Sequence, residues 1–513
     1  MTRDNESRRP ASLVHHVARG SAWSVGVRWA SRLTGLVSTV ILARLLTPAD
    51  YGVVAIAMVI VATIEIFNQT GQHLAIIRHA NPTREHYDAA WTIFIILSTT
   101  LATAIWFAAP LTQVYFHEPR ADAVVKALAF RTFIGGLENV GVVDFQRNLQ
   151  FDRVFKYRTY PSLVSFVVGL VAAFALRNYW ALVIGILSEQ ASRIALSYVL
   201  SPFRPRLSLK KVPELWSFSI WTFFRSIGSY VGSQIDKLAI GGFAGAAAMG
   251  RYEVATDLAT APSSEINQPL LSVLFPVMAK AQHDRTQLKH LYLTVLYWSL
   301  LICSSSAVGI ALVTSEMVDL VLGPKWVDAK PLLPWLALAY GIAGPSFTAY
   351  STFDAIGKPH ISARLTWIAV AAYAASIVVA AFVFKSVLAI AIARFAVSCV
   401  SPLVLFYFLI RELELRIVDI AYLSARPLAA SVVMAAVVFA VQSALHPGSL
   451  RLFIEVVAGA ATYTACILVL WQLIGAPRGP EAVLIENVKL YLNKLRVVNL
   501  ARSGIADTSP KEM

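Results

Sequence analysis

Apolar stretches about wide enough to cross a bilayer recur along the chain from Gly20 almost to Leu473. A helix needs about 20 apolar residues to span the hydrocarbon core. On that ruler the pattern predicts fourteen spans, at approximately 21–46, 52–70, 88–109, 121–145, 160–176, 179–200, 215–243, 250–275, 290–314, 331–355, 364–384, 386–410, 424–445 and 451–474. The fourth and tenth are the least apolar. Only the first 20 residues and the tail after Ala476 have soluble character. The pattern predicts an all-α polytopic integral membrane protein. A short segment at 1–20 leads into a six-helix lobe at 21–200. A linker at 201–214 joins this to a second lobe at 215–410, followed by two more helices within 424–474 and a tail at 476–513. In that tail, Leu484, Val488, Tyr491, Leu495 and Val498 share one face, as in a helix lying on the inner leaflet or docked on the protein's own cytoplasmic face.

Loop charge orients the spans. Of the 44 Lys and Arg residues, about 28 fall in the termini and the even-side loops, and about 7 in the opposite loops. Basic residues are retained on the cytoplasmic side, so both termini are expected there, and the number of spans is even. The same rule accounts for the net charge of +14, and no nucleic-acid partner is inferred. With 57% hydrophobic and 14% charged residues and a mean hydropathy of +0.62, the chain has more apolar surface than soluble packing can hide. The first 20 residues lack the apolar core and small-residue cleavage site of a signal peptide, so the first span is read as retained.

A weak internal repeat appears at an offset of 198 residues. It superposes Trp23 on Trp221, Gly52 on Gly250 and Ala57 on Ala255, and lays LLTPADYGVVAIA over FAGAAAMGRYEVA. Both copies start on the same side of the membrane. They form a parallel repeat about the membrane normal, which builds two pseudo-symmetric lobes facing a central cavity.

Charged residues inside the spans point to chemistry. A charge at bilayer depth is costly and normally faces a water-filled cavity or a partner. Arg28 and Arg32 share one helix face, four residues apart. Arg225, Ser229, Gly232 and Asp236 form a polar stripe in the seventh span, with Lys237 beside it, and Glu253, Asp257, Thr260, Ser264 and Gln268 form another in the eighth. Glu65, Arg131, Glu138, Glu189, Arg193, Asp354 and Arg394 lie elsewhere in the spans. Glu189 and Arg193 are spaced to satisfy each other along one helix. For Asp236 and Lys237, a structural ion pair across helices competes with a functional role. A guanidinium never deprotonates and presents a planar fork of donors that matches phosphate oxygens. Arg28, Arg32, Arg131 and Arg225 are therefore the candidate substrate-binding residues for a pyrophosphate or acidic glycan. Glu65, Asp236 and Asp257 are the candidate carriers of a coupling ion, H+ or Na+. No metal, cofactor or catalytic residue is expected. The chain lacks GxxxxGK[ST] and HExxH motifs and any Cys/His cluster, and Cys303, Cys399 and Cys466 read as small core residues.

Several segments carry a resemblance in order. ILARLLTPADYGVVAIA and TGQHLAIIRHANPTREHYDAAWT are followed by FQRNLQFDRVFKYR, SQIDKLAIGGFAGAAAMGRYEVA, LFPVMAKAQHD, LGPKWVDAKPLLPWLA and AIGKP. Together, over roughly residues 20–410, the chain resembles bacterial polysaccharide transporters. These are the lipid-linked oligosaccharide flippases of the multidrug/oligosaccharidyl-lipid/polysaccharide flippase superfamily. The resemblance implies two six-helix lobes around a central cavity plus two C-terminal helices, in the bacterial cytoplasmic (inner) membrane. It implies alternating access that turns an undecaprenyl-pyrophosphate-linked repeat unit from the inner to the outer leaflet, for exopolysaccharide or O-antigen-type export. Expected partners are the lipid-linked oligosaccharide, membrane lipids and other glycan-assembly proteins. A multidrug antiporter of the same superfamily would need a predominantly acidic lumen, which the arginines oppose. A membrane-embedded glycan polymerase or ligase would need a large outward loop, and the outward loops here are short.

Overall fold

The computed structural model describes residues 38–68, 82–147, 150–212, 220–281 and 284–475. No strand occurs among them. The chain order is α1 (Pro48–Glu65), α2 (Arg84–Ala108), α3 (Arg120–Gly135), α4 (Phe151–Leu176), α5 (Trp180–Leu200), α6 (Ile220–Lys280), α7 (Arg285–Met317), α8 (Leu333–Ala343), α9 (Ser346–Ala355), α10 (Pro359–Val379), α11 (Val387–Leu413), α12 (Ile417–Ala444) and α13 (Ser449–Leu473), with short turns of helix between some of these. A further helical stretch precedes α1 at 38–45.

Among the described residues, eight helical tracts are long and apolar enough to cross a membrane. They coincide with the second, third, fifth, ninth and eleventh to fourteenth predicted spans, and the protein is a multi-pass membrane protein. The other six depart for local reasons. The first is described only from residue 38, so Arg28 and Arg32 lie outside the described residues, as does the amphipathic tail segment. The fourth stops at Gly136, and the chain then turns through Val140–Val142 and Val143–Arg147. The sixth, Trp180–Leu200, carries the Glu189–Arg193 pair in its middle and is less apolar. The seventh and eighth form one tract, Ile220–Lys280, broken at Gly245, whose φ of 77° and ψ of 178° are not helical. The tenth splits into α8 and α9 at Pro345, which has no N–H for a continuous helix.

The start of α1 shows how the TPAD motif writes a helix. Thr47 Oγ1 accepts from the Asp50 N–H, and Asp50 Oδ2 accepts from the Thr47 N–H at 2.9 Å. Pro48 occupies the first helical position, where no N–H is needed. Asp50 Oδ1 also accepts from the Tyr179 N–H at 3.1 Å, which ties this cap to the start of α5.

The described chain divides into two compact units. The first comprises residues up to Leu258 together with Met317–Leu336 and Pro359–Val397. Here α4 and α5 pack along each other. Gly169 and Gly185 face one another closely, and Ser165 Oγ donates to the Gly185 carbonyl at 2.8 Å. Small residues at such a seam let helix backbones approach.

The 198-residue offset has a physical form in this unit. A Cβ added at Gly52 would sit 1.6 Å from the Ala246 carbonyl oxygen, and one added at Gly250 would sit 1.9 Å from that of Pro48. Pro48 and Ala246 are themselves offset by 198, so the two contacts exchange under the repeat. Thr47, the cap of α1, corresponds to Gly245, where α6 restarts. Loop contacts beside the crossing follow the same logic. Trp326 Nε1 donates to the Ala43 carbonyl at 2.9 Å, and Lys325 Nζ reaches the Arg44 carbonyl at 3.3 Å. On the other copy, the Phe116 ring fills the space that a Cβ on Gly241 would need, at 2.6 Å, and Gly241 is offset from Ala43 by 198.

The second unit comprises Ala259–Glu316, Ala337–Lys358 and the chain from Ser398. Its α12 and α13 pack around Ala430, Met434, Val438, Tyr463 and Ile467. Arg451 bridges two buried carboxylates, Glu316 and Glu455, at 2.8 Å each. The buried Arg426 guanidinium lies over the Tyr297 ring at 4.8 Å.

Candidate functional site

A cavity of about 390 Å3 opens inside the first unit. Its wall joins Ala62, Glu65 and Ile66 at the end of α1, Phe94 and Ser98 of α2, and Arg131, Thr132 and Gly135 of α3. It also includes Glu138, Asn139 and Val140 just beyond α3, Gln190 of α5 and Tyr230 of α6. Residues that are distant in sequence meet here because α3 packs against α1, α2 and α5.

Two ion-pair candidates meet on this wall. Arg131 Nη1 lies 3.3 Å from Glu65 Oε1, and Thr132 Oγ1 donates to the same oxygen at 2.6 Å. Glu138 Oε1 accepts from the Tyr157 hydroxyl. Asn139 is fully used, donating to the Phe203 carbonyl at 2.7 Å and accepting from the Gly141 N–H at 2.9 Å. The Tyr230 hydroxyl lies 3.3 Å from Thr63 Oγ1 and 3.4 Å from the Val59 carbonyl. Gln190 and Ser98 are only 7% and 2% exposed, yet their side chains make no hydrogen bond among the described residues. A buried amide that faces a cavity without a partner is poised to take one.

The remaining sequence candidates separate. Arg225 is half-buried on α6 and is not part of the cavity wall among the described residues. Asp257 is exposed on α6, also away from that wall. Asp236 is fully buried and saturated. Its Oδ2 accepts from Arg394 Nη2 at 2.8 Å, from Arg394 Nε at 3.1 Å, from the Tyr373 hydroxyl at 3.0 Å and from the Tyr252 hydroxyl, while Oδ1 takes the Lys237 N–H at 2.9 Å. The Arg394 guanidinium also lies 4.5 Å over the Tyr373 ring. Lys237 turns to Glu253 instead, at 2.6 Å. These partners make Asp236 an anchor between α6, α10 and α11, with its charge already matched. Glu189 and Arg193 pair with each other at 2.6 Å, as their spacing predicts.

Sequence reading missed Gln190, Ser98 and Thr132. Single polar residues in apolar helices carry no motif, and Gln190 sits beside the more conspicuous Glu189. Arg426 and Arg451, at the ends of the last two predicted spans and not among the candidate residues, are both largely buried in the second unit. Among the described residues, no three His, Cys, Asp or Glu side chains are grouped to hold a metal ion.

Comparison with known proteins places this architecture. The model of a family described as polysaccharide biosynthesis protein matches residues 41–331, more than half of the chain. The chain belongs to the polysaccharide biosynthesis protein family. It is 25% identical over 329 residues to the lipopolysaccharide biosynthesis protein WzxC of Escherichia coli (strain K12), covering 61% of this chain and 66% of that one. It is 24% identical over 351 residues to the succinoglycan biosynthesis transport protein ExoT of Rhizobium meliloti (strain 1021), covering 67% of this chain and 70% of that one. Among solved structures, the lipid II flippase MurJ in an inward closed conformation shares the fold. Its TM-score is 0.72 at 13% identity, over 88% of this chain and 99% of that one.

Proposed function

We propose that the protein is a transporter, not an enzyme, and flips a polyprenyl-pyrophosphate-linked oligosaccharide repeat unit between membrane leaflets by alternating access. The cavity is the observation that carries this reading. It places carboxylates, a guanidinium, hydroxyls and an amide inside a bundle of apolar helices, where a polar head could shelter from lipid. The names of WzxC, ExoT and MurJ as lipopolysaccharide biosynthesis, succinoglycan transport and lipid II flippase proteins support it, since lipopolysaccharide, succinoglycan and lipid II are all glycan products or precursors. Loop charge supports cytoplasmic termini. The proposed membrane is the bacterial inner membrane, and the proposed direction is from its inner to its outer leaflet.

Within this reading, Arg28, Arg32 and Arg225 hold the pyrophosphate, and Arg131 joins them only when it exchanges Glu65 for a cargo anion. Glu65 is the preferred carrier of a coupling proton or sodium ion, because its carboxylate faces the cavity. Asp236 is already matched by Arg394, and Asp257 remains a second carrier. The test is reconstitution of the full chain in vesicles loaded with a labelled undecaprenyl-pyrophosphate oligosaccharide. Transfer to the outer leaflet should exceed that in protein-free vesicles. Transfer at the protein-free rate would refute the reading.

A further inference from the structure

We infer that Glu316, Arg451 and Glu455 in the second unit form a site for one monovalent cation, a proton or a sodium ion. Binding there stands apart from the transport reading; under that reading the site gives a coupling ion a place beyond Glu65 and Asp257. Glu316 is the last residue but one of α7, and Arg451 and Glu455 lie one turn apart near the start of α13. The two carboxylate side chains are only 5% and 0% exposed, and Arg451 is largely buried between them. Two acids thus share one guanidinium, and the group is one positive charge short whenever both acids are ionised. An uncompensated charge inside apolar helices is costly.

The hydrogen bonds show where the missing charge goes. Arg451 Nη2 lies 2.8 Å from Glu316 Oε1, and Nε donates to Glu455 Oε1 at 2.8 Å. A guanidinium matched to one acid commonly grips both of its oxygens. Here each acid is held by one oxygen, and Nη1 turns to the Leu445 carbonyl at 3.4 Å. The second oxygen of each acid, Oε2, is buried without a hydrogen-bond partner. Buried acceptors left empty call for a ligand or a reason. One cation on these oxygens fills them and restores neutrality, and a proton held this way belongs to the pair. Among the described residues, the elements packed around the triad do not supply the charge. After Arg426, α12 carries no charged residue, and its Gln442 donates to the Leu312 carbonyl at 3.0 Å. The next titratable groups along α7 and α13 are Cys303, Tyr463 and Cys466, and the Tyr463 hydroxyl donates to the Leu301 carbonyl at 2.8 Å. Just past α7, Asp319 is matched by Lys330 at 2.7 Å, and His446, before α13, is exposed.

The experiment uses the full-length protein in nanodiscs at neutral pH, with two readouts. Infrared spectroscopy in sodium-free buffer reads the carbonyl stretch of protonated carboxyl groups, and retention of radiolabelled sodium reads bound metal. Glu316→Gln and Glu455→Gln each leave one acid to one guanidinium, so each variant removes the charge deficit while keeping the side-chain shape. If the occupant is a proton, the wild type shows a protonated-carboxyl band that is lost in both variants. If it is sodium, the wild type retains one equivalent of the label, and both variants lose it. Glu414→Gln is the control, since Glu414 is exposed and paired with Arg285, and it should leave both signals unchanged. Thermal unfolding shows which variants fold, and either folded variant suffices. Wild-type signals that persist in a folded variant, or the absence of both signals from the wild type, overturn the site and leave the transport reading standing.

Discussion

Adding one methyl group at Gly52 tests the helix crossing that the repeat builds. In Gly52→Ala the new carbon would lie 1.6 Å from the Ala246 carbonyl oxygen. An acceptable carbon–oxygen contact is about 3.2 Å, so the two backbones must separate by roughly 1.5 Å, and no side-chain rotation can relieve the clash. Overpacking of this kind costs typically about 1–3 kcal/mol, and a rigid backbone partner puts it at the upper end. Alanine returns about 1 kcal/mol because it favours the helix more than glycine does. The net loss of about 2 kcal/mol lowers the population of the crossed arrangement about 30-fold relative to any uncrossed one. Gly250→Ala should do the same through Pro48, at 1.9 Å. The double variant should cost less than the sum, because the first change already separates the same pair of helices. Gly309→Ala is the matched control, since an added Cβ there meets nothing within 4 Å. The assay is thermal unfolding in detergent together with hydrogen exchange of residues 46–55 and 244–253. If Gly52→Ala unfolds and exchanges like the control, the crossing is not the tight contact described here.

Two further predictions follow from buried and loop charges. Arg394→Ala strands the buried Asp236 carboxylate and should destabilise the protein by about 3–5 kcal/mol, the usual cost of breaking a buried pair from one side, and Asp236→Asn in the same chain should recover part of it in chemical unfolding. In the turn between α2 and α3, the Arg120 guanidinium beside Glu118, at 2.7 Å, holds that carboxyl below the usual carboxylate range. The folded value is depressed, so this stabilisation is complete above the unfolded value of about 4.3 and is lost as pH falls through the lower folded value. Unfolding midpoints of wild type and Glu118→Gln should therefore differ by a constant amount above about pH 5 and converge below it, and parallel curves throughout would refute the pairing.

How much of this was legible depended on the range of the interaction. The spans that stand as single helices are those with a long, strongly apolar window, such as Ile417–Ala444 and Ser449–Leu473, even though Pro427 lies inside the first and Arg451 and Glu455 inside the second. The repeat was visible as Gly52 over Gly250, because a backbone crossing tolerates only glycine at those positions. Glu65, Arg131 and Glu138 were each conspicuous as charges in apolar runs, but their meeting on one wall depends on the packing of α3, which no spacing encodes. The partnership of Asp236 with Arg394 spans 158 residues and was likewise invisible. Gln190 gave the weakest signal of all, one neutral amide among apolar residues, and its importance comes only from what it fails to touch.

The paired contacts at the crossing also bear on the origin of the chain. Gly52 on Ala246 and Gly250 on Pro48 are the same contact made twice with the partners exchanged. That is the signature of an isologous interface, where residue i of one subunit meets residue j of its twin and the reverse. A gene duplication that joined the two subunits of an ancestral homodimer would leave this mark. A fusion of unrelated halves would not.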